Sequence, residues 1–159
     1  MIARDRDIWL IGKKMADTPL IEQAKYQARL HGLDGALVCA VIEQESEWNT
    51  YAIRFEPAFE KRYIHPALPQ APTTEEISRA MSFGLMQVMG EVARERGFKG
   101  KFLTALCDPE IGLPIGCEWL KHIMDNHGGD VAATLQRWNG GSNPHYAFEV
   151  MARMDKYKP

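Results

Sequence analysis

The sequence predicts an all-α fold of seven or eight helices in a single domain, and three observations predict it. Helix starts recur as a capping residue followed by proline, as in Asp17-Thr18-Pro19 and Asp108-Pro109-Glu110. Glycines stand where the apolar segments stop, as is typical of helix C-termini. No segment shows a convincing strand-like alternation of apolar and polar residues. The 159 residues suffice for one domain with its own core, and we assign residues 1–17 to an N-terminal extension.

Two long helices and a short one are predicted in the first half of the chain. The first runs to about Leu30. The second covers Leu33–Trp48, with Asp34 as its candidate cap, and its apolar residues on nearly every side predict a buried central helix. Residues 49–72 are irregular and rich in proline and aromatic residues, and Pro57 is predicted to open a short helix within them.

Five further helices are predicted in the second half. Thr73–Glu76 has the spacing of a capping box, in which two side chains satisfy backbone N–H groups reciprocally. Gly97 and the Gly128-Gly129 pair are candidate helix stops. The predicted segments are Thr73 to about Met81, Leu85 to Arg96, Asp108 to the residue before Gly128, Asp130 to about Trp138, and a last helix from Asn143-Pro144.

The bulk composition argues against several classes of function. Hydrophobic residues make up 45% of the chain and charged residues 25%, as in soluble globular domains. A net charge of −2 provides no basic surface, so we expect no nucleic-acid partner. No apolar run approaches the roughly 20 residues that span a bilayer, so we expect no stable membrane insertion. The N-terminal apolar run, Ile8–Ile11, is too short for a signal-peptide core, and we therefore expect the protein to stay in the cytoplasm until it is released.

No metal or cofactor site is expected. The five histidines show no metal-ligand spacing such as H-E-x-x-H, and no phosphate-binding or dinucleotide-binding loop is present. The three cysteines, Cys39, Cys107 and Cys117, do not form a disulfide framework, although a bridge between the last two stays open. We expect the protein to be a monomer.

One acid in the second predicted helix falls on an apolar stripe. At helical spacing Leu37, Val41, Glu45 and Trp48 share a face, whereas the other two glutamates of the segment IEQESEW lie on a side suited to solvent. Burial of a carboxyl group favours its protonated form and raises its pKa. Glu45 is therefore a candidate proton donor, and the alternative is an acid at the edge of the core that is paired with an arginine.

Three segments resemble the soluble lytic transglycosylases. AVIEQESEWN (residues 40–49) is similar to the family's helix that carries the catalytic glutamate, and SFGLMQVM (82–89) is similar to its G-L-M-Q loop. Residues 108–141 resemble its long helix, its Gly-Gly-Asp turn and its closing A-Y-N-A-G motif. The resemblance covers about residues 33–150. It implies a lysozyme-like all-α fold, with the goose-type lysozymes as relatives.

The resemblance implies that the protein acts on the glycan strands of peptidoglycan. The bond broken in such proteins is the β-1,4 bond from N-acetylmuramic acid to N-acetylglucosamine. By the match, Glu45 protonates the leaving oxygen and then, as a base, takes the proton of the C6 hydroxyl, which closes a 1,6-anhydro ring. This scheme needs no second carboxylate, no water and no cofactor.

The match also implies residues that contact the glycan. Ser46 would form a hydrogen bond nearby or fix the helix geometry, and the alternative is that it fills the core. Gln87 and the main chain of Gly84 to Met86 would line the sugar groove, because an amide offers a donor and an acceptor to an N-acetyl group and glycine permits close approach. The alternative is a loop that simply leads into a helix.

The closing motif departs from the family pattern at its first position, where Trp138 replaces the usual tyrosine whose hydroxyl lies close to the acid. Indole donates a hydrogen bond but cannot accept one, so how Glu45 is held stays open. Asn139 matches the motif's asparagine, with a helix C-cap as the alternative. Tyr146 would close the groove or pack in the core, and Glu56 would activate water or orient Glu45.

Three functions are consistent with the sequence. The first is a lytic transglycosylase, expected to be a bacteriophage endolysin or an enzyme of prophage origin that acts once it reaches the cell wall. The second is a hydrolytic muramidase on the same fold, in which Glu56 or Glu60 assists a water molecule. The third is a non-catalytic module of a virion or a glycan-binding protein that keeps the groove.

Overall fold

The computed structural model describes residues 19–67 and 73–159. The predicted N-terminal extension and the cap at Asp17-Thr18 lie outside the described residues. The α-helices are residues 19–30 (α1), Gly35–Ser46 (α2), Pro57–Phe59 (α3), Thr74–Arg79 (α4), Gly90–Glu95 (α5), Pro109–Asn126 (α6), Val131–Trp138 (α7) and Tyr146–Met154 (α8). The prediction of an all-α fold is confirmed.

Shorter helical turns connect these helices. A π-helical turn, Glu60–Ile64, continues α3 and leads into a 3₁₀ turn, His65–Ala67. Two further 3₁₀ turns, Leu103–Cys107 and Asp155–Tyr157, precede α6 and follow α8. Among the residues that the structure describes, no helix is both long enough and apolar enough to cross a bilayer.

The helices begin where the sequence places capping side chains. Asp34 accepts a hydrogen bond at 2.7 Å from the backbone two residues further along, at the start of α2. Thr73 and Glu76 form the reciprocal pair of a capping box at α4. Asp108 and Asp130 cap α6 and α7. Because each side chain satisfies an N–H group that has no partner inside its helix, these four predicted starts are confirmed.

The central helix is α2, as its apolar sequence predicts. Every residue over the range 36–42 is at most 5% exposed. Helix α8 packs along α2, and α7 packs on α8. The helix ends two residues before the predicted end, because Glu47 and Trp48 have left-handed φ angles of 50° and 65°. Glu45 therefore stands in the last turn of α2, at the edge of the core.

A small antiparallel sheet corrects the expectation that no strand forms. Its strands are β1 (Ile53–Phe55), β2 (Met81–Phe83) and β3 (Val88–Met89), in the order β1-β2-β3, and Arg54 pairs with Ser82. Strands of two or three residues are too short for an alternating pattern to be recognised in the sequence. The sheet lies beside the helical core and carries the loops that reach the site.

The helix predicted over Leu85–Arg96 begins only at Gly90. The residues before it form a tight turn in which Gly84 and Gln87 both have a left-handed backbone, with φ angles of 70° and 49°. A right-handed helix does not continue through such residues. We name residues 84–87, which join β2 to β3, the GLMQ turn.

Helix α6 lies so close to the GLMQ turn that the helix requires a glycine at the contact. A Cβ atom on Gly116 would lie 2.5 Å from Met86 Sδ, in the GLMQ turn. One on Gly112 would lie 2.2 Å from the carbonyl oxygen of Leu106, in the 3₁₀ turn that precedes α6. Both separations are shorter than the 3.0 Å that real Cβ contacts essentially never reach. This close packing sets the position of the turn against the core, and so beside the end of α2.

Candidate active site

One oxygen of the Glu45 carboxyl group receives two hydrogen bonds. Trp138 Nε1, at the end of α7, donates to Oε1 at 3.1 Å, and the Tyr146 hydroxyl, at the start of α8, donates to the same oxygen at 2.5 Å. No residue in the described part of the chain donates to Oε2. The site therefore holds one carboxyl oxygen in place and leaves the other available to exchange a proton.

The surroundings of Glu45 raise its pKa above the usual range. Burial is the main cause, because it penalises the charged form. The hydrogen bonds from Tyr146 and Trp138 and the positive charge of Arg54 act in the opposite direction, while the negative charge of Glu56 adds to the rise. The net result keeps a larger fraction of Glu45 protonated near neutral pH than in a free glutamate, as a general acid requires.

Tyr146 supplies the hydroxyl group that the closing motif lacks. Its side chain is only 3% exposed, and burial together with the charge of Glu45 raises the pKa of its phenol. The phenol therefore stays protonated and acts as a donor. Trp138 and Tyr146 thus both hold the Glu45 carboxyl group. This shows how Glu45 is held although Trp138 replaces the motif's tyrosine.

The acid considered as a second carboxylate lies near Glu45 but forms no hydrogen bond to it. Arg54 lies in β1, and Glu56 lies just after the strand, where it precedes α3. They form an ion pair, with 3.8 Å between Arg54 Nη1 and Glu56 Oε1. Their charges act on the pKa of Glu45 in opposite directions. Glu60 lies elsewhere and approaches His65 at 3.7 Å.

Ser46 joins the helix that carries Glu45 to the GLMQ turn. Its hydroxyl donates to the Leu85 carbonyl oxygen at 2.8 Å and to the Ile42 carbonyl oxygen at 3.2 Å. Both partners are main-chain groups, so the side chain fixes the distance between α2 and the turn. A direct contact of Ser46 with the glycan stays a prediction.

The polar atoms of Gln87 are engaged within the protein. Its Nε2 donates to the carbonyl oxygens of Ala52 and Gly84, both at 2.9 Å, and its Oε1 accepts from the Ser82 hydroxyl at 2.9 Å. These bonds brace the GLMQ turn against β1 and β2. The predicted contact between this amide and an N-acetyl group is untested, and it would require one of these bonds to be shared or given up.

Residues 84–86 of the GLMQ turn are buried. Met86 is 1% exposed and packs against α6, so its side chain belongs to the core. A Cβ atom on Gly84 would lie 2.5 Å from the Leu106 carbonyl oxygen, and φ is 70°, so both space and backbone require glycine. The predicted sugar contacts of Gly84 and Met86 therefore concern their backbone, and they stay predictions.

Asn139 is the C-cap residue of α7. Its Nδ2 donates to the Asn143 carbonyl oxygen at 3.3 Å, and its Oδ1 accepts from the Ser142 hydroxyl at 3.2 Å. These contacts organise the loop from α7 to α8, and so the relative positions of Trp138 and Tyr146. The structure thus places Asn139 in the capping role that was its alternative, while its sugar contact is untested.

Sequence analysis misses one polar link beside the site. Glu149 Oε2, in α8, accepts from Gln44 Nε2 at 3.1 Å and from Asn143 Nδ2 at 3.0 Å. The link joins α2 directly to α8 and to the loop before it. Gln44 stands in the first matched motif, but Glu149 lies 105 residues away and carries no local pattern that would identify it.

No metal site is evident in the described ranges. Residues 19–67 and 73–159 contain no group of three or more histidine, cysteine, aspartate or glutamate side chains that could hold an ion. All three cysteines are free, including the Cys107 and Cys117 pair for which a bridge was open. The chemistry that this arrangement supports is proton transfer by one carboxyl group.

Comparisons with known proteins give a family match over most of the chain. The family described as Transglycosylase SLT domain matches residues 22–148. The chain is similar to the membrane-bound lytic murein transglycosylase C of Edwardsiella ictaluri, with 26% identity over 135 residues, which covers 77% of this chain and 31% of that relative. The chain thus spans about a third of the length of this relative. No solved structure gives a significant match.

Proposed function

Because the chain belongs to the transglycosylase SLT domain family, we propose that it is a lytic transglycosylase of peptidoglycan. It cleaves the β-1,4 bond between N-acetylmuramic acid and N-acetylglucosamine and leaves 1,6-anhydromuramic ends. The observation that carries the proposal is the state of Glu45, which occupies the matched position of the catalytic glutamate. One of its oxygens is held by two donors, and burial raises its pKa.

The arrangement supports a reaction in two proton transfers. Glu45 protonates the glycosidic oxygen through Oε2, the C1–O bond breaks with its electron pair on the leaving oxygen, and the substrate's N-acetyl group stabilises C1. The carboxylate left behind keeps its hydrogen bonds from Trp138 and Tyr146. It then removes the proton of the C6 hydroxyl, whose oxygen bonds to C1. The ring closes, Glu45 is protonated again, and no water is consumed.

A single acid in the site favours this reaction over a two-acid hydrolysis. Glycoside hydrolases generally place two carboxyl groups on either side of the bond. The nearest second candidate, Glu56, is 39% exposed and paired with Arg54, and it makes no hydrogen bond to Glu45. A free, unpaired base that could activate water is therefore not held against Glu45 by any contact in the described residues.

A hydrolytic muramidase is the second candidate function. It is favoured by one observation, that Glu56 lies near enough for its charge to raise the pKa of Glu45. In that case Glu56 would orient or activate a water molecule that attacks C1. The third candidate, a non-catalytic glycan-binding or virion module, would use the groove without using the acid.

Product analysis separates the first two candidates. Purified peptidoglycan is digested with the protein, and the released muropeptides are examined by mass spectrometry before and after borohydride reduction. A lytic transglycosylase leaves anhydro ends that are lighter by one water molecule and resist reduction. Reducing ends that accept hydrogen would instead assign the protein to the muramidases.

The Glu45→Gln substitution tests whether the acid is used at all. Glutamine keeps the acceptor oxygen for Trp138 and Tyr146 but has no proton to give, so the rate of wall lysis is expected to fall by about 10²–10⁴-fold. Release of soluble muropeptides measures it. Glu95→Gln, an exposed acid in α5, serves as the matched control and is expected to keep full activity. Undiminished lysis by the Glu45 variant would contradict a catalytic role for Glu45. A wild-type protein that binds the wall without lysing it would instead be the non-catalytic module.

We also infer the biological setting from the resemblance of the sequence. The protein acts as an endolysin of a bacteriophage, is held in the cytoplasm until a membrane pore forms, and works as a monomer. Expression in a bacterial host with and without a pore-forming protein tests this setting. Lysis that requires the pore supports it, whereas lysis without the pore contradicts it. Light scattering of the purified protein measures its mass and so tests whether it is a monomer.

A further inference from the structure

The end of α2 is joined to the C-terminal 3₁₀ turn by two hydrogen bonds in series. Trp48 Nε1 donates to the Tyr157 hydroxyl at 3.0 Å, and that hydroxyl donates to Glu43 Oε2 at 2.7 Å. The rings of Trp48 and Tyr157 also pack, with their centroids 5.9 Å apart. We call this arrangement of Trp48, Tyr157 and Glu43 the Tyr157 bridge.

Glu43 is a strong acceptor for this bridge. Its other oxygen accepts a hydrogen bond from Lys156 Nζ at 2.5 Å, and Arg153 Nε lies 3.8 Å away. Burial acts to raise the pKa of Glu43, but the hydrogen bonds from Lys156 and Tyr157 and the charges of Lys156 and Arg153 outweigh it and hold the pKa below the usual range. Glu43 is therefore charged at neutral pH, and hydrogen bonds to a charged acceptor are the stronger kind.

The bridge spans a strained segment of backbone. Glu47 and Trp48 are consecutive residues with left-handed φ angles of 50° and 65°, and neither is glycine. Such conformations persist only where surrounding contacts hold them, and they concentrate at functional sites. The bridge ties Glu43, before these two residues, to Trp48, the second of them. Glu45 lies between the two tied positions.

We propose that Tyr157 is a positioning residue for Glu45. By holding the left-handed exit of α2, it keeps the last helical turn in place, so that the Glu45 carboxyl group stays within hydrogen-bond reach of Tyr146 and Trp138. The catalytic part of this inference rests on the proposed function. The structural part, which concerns the position of Glu45, does not.

Tyr157→Phe removes both hydrogen bonds of the bridge and keeps the ring. A cavity of about 520 Å³, open to solvent, borders the bridge and is lined by Glu43, Trp48, Tyr157 and Lys156 among others. Without the hydroxyl, the end of α2 loosens toward this cavity and Glu45 becomes more hydrated, which lowers its pKa. Weaker hydrogen bonds from Tyr146 and Trp138 act on this pKa in the opposite direction, but burial is the larger influence on Glu45, so the net shift is downward. The charges of Arg54 and Glu56 are retained in the variant.

The experiment compares Tyr157→Phe with the wild-type protein well below the melting temperature of either. We expect kcat to fall by about three- to tenfold, because small displacements of a catalytic group are costly, while KM changes less than about twofold. The alkaline limb of the pH–kcat profile moves to lower pH. In a ¹⁵N–¹H spectrum, the indole N–H resonance of Trp138, which donates to Glu45 and not to Tyr157, moves as its bond to Glu45 weakens.

Two further variants serve as a control and as a rescue in this experiment. Tyr26→Phe, on α1, removes an exposed tyrosine hydroxyl that takes no part in the bridge and is expected to change neither kcat nor the Trp138 resonance. Glu47→Gly, added to Tyr157→Phe, lets a residue that tolerates positive φ occupy the exit, and it is expected to restore part of the lost kcat. A purely structural role for Tyr157 would lower the melting temperature without moving the pH limb.

An unchanged pH limb together with an unchanged Trp138 resonance in the folded Tyr157→Phe protein would overturn the proposal. A failure of Glu47→Gly to restore any kcat would also overturn it, because the strained exit would then not be what Tyr157 holds. The two proposals can fail separately. If the wild-type protein releases no anhydro ends, the proposed function fails, and the Trp138 resonance still decides whether the bridge positions Glu45.

Discussion

Burial and hydrogen bonding act on the pKa of Glu45 in opposite directions. Burial favours the protonated acid that gives the first proton in the proposed reaction, whereas hydrogen bonds from Tyr146 and Trp138 favour the carboxylate that takes the second one. A group that serves as acid and then as base works best when its pKa lies near the working pH. The two donors thus limit the rise in the pKa of Glu45 that burial causes.

Tyr146→Phe is expected to shift the pH dependence of activity to higher pH. The hydroxyl lowers the pKa of Glu45, so its removal raises that pKa further. Because the proposed reaction starts from protonated Glu45, activity is lost as pH rises through the pKa, and the alkaline limb of the profile moves to higher pH. A hydrogen bond to a charged group contributes roughly 1.5–3 kcal/mol, so kcat is expected to fall by at least about tenfold.

The pH–kcat profile of the purified variant measures both effects. Tyr26→Phe is again the control for loss of a hydroxyl away from the site. The direction of the shift of the alkaline limb distinguishes the two variants, since Tyr157→Phe is expected to move this limb to lower pH. An alkaline limb at the wild-type position in Tyr146→Phe would show that this hydroxyl does not set the pKa of Glu45.

At the scale of the elements, the GLMQ turn is held from three sides. Ser46 binds it to α2, Gln87 binds it to β1 and β2, and the glycine face of α6 packs beneath it. These contacts fix the position of the turn beside the end of α2. The close approach of α6 is therefore a structural condition for the site as well as for the core.

Gly112→Ala is expected to destabilise the fold by about 1–3 kcal/mol, as overpacking of a core does. The new methyl group would lie 2.2 Å from a backbone carbonyl oxygen, at Leu106, which cannot move as a side-chain tip can. Urea unfolding measures the free energy of unfolding.

Gly35→Ala, at the start of α2, is the matched control. Its methyl group would meet Lys25 Cγ at 3.1 Å, and a flexible side chain can give way there. Because alanine favours helix by up to about 1 kcal/mol over glycine, this variant is expected to be neutral or more stable. Equal destabilisation by the two substitutions would argue against the close-packing account.

At the scale of the whole molecule, three distant parts of the chain meet at the site. Helix α2 brings Glu45 and Gln44, α7 brings Trp138, and α8 brings Tyr146 and Glu149. Helices α2 and α8 share an extensive contact, and α7 packs on α8. The site therefore forms only when these helices pack together, and it is lost when the protein unfolds.

Native Cys39 and Cys117 are expected to resist thiol reagents. Both are fully buried, and burial raises the pKa of each thiol to about 12, so almost no thiolate forms at neutral pH. Labelling of these two is expected only in denaturant, whereas half-buried Cys107 reacts first. Mass spectrometry of labelled peptides with and without urea measures this. Rapid native labelling of Cys39 would contradict a tightly packed α2.

Local signals in the sequence account for most of the helices. The caps at Asp34, Thr73, Asp108 and Asp130 are predicted correctly, because a capping side chain acts on N–H groups only two or three residues away. The small sheet and the late start of α5 are not predicted. Strands this short gain their stability from pairing across distant residues, which no local pattern encodes.

The sequence by itself determined the helical class, the burial of α2 and the anomalous place of Glu45, because these depend on periodicity and on neighbours along the chain. The tertiary structure alone decided that Tyr146 supplies the hydroxyl beside Trp138, that Gln87 is engaged internally, and that Tyr157 and Glu149 reach α2. These contacts join residues up to 114 positions apart. Their partners are selected by how the helices pack, and packing is a property of the whole chain.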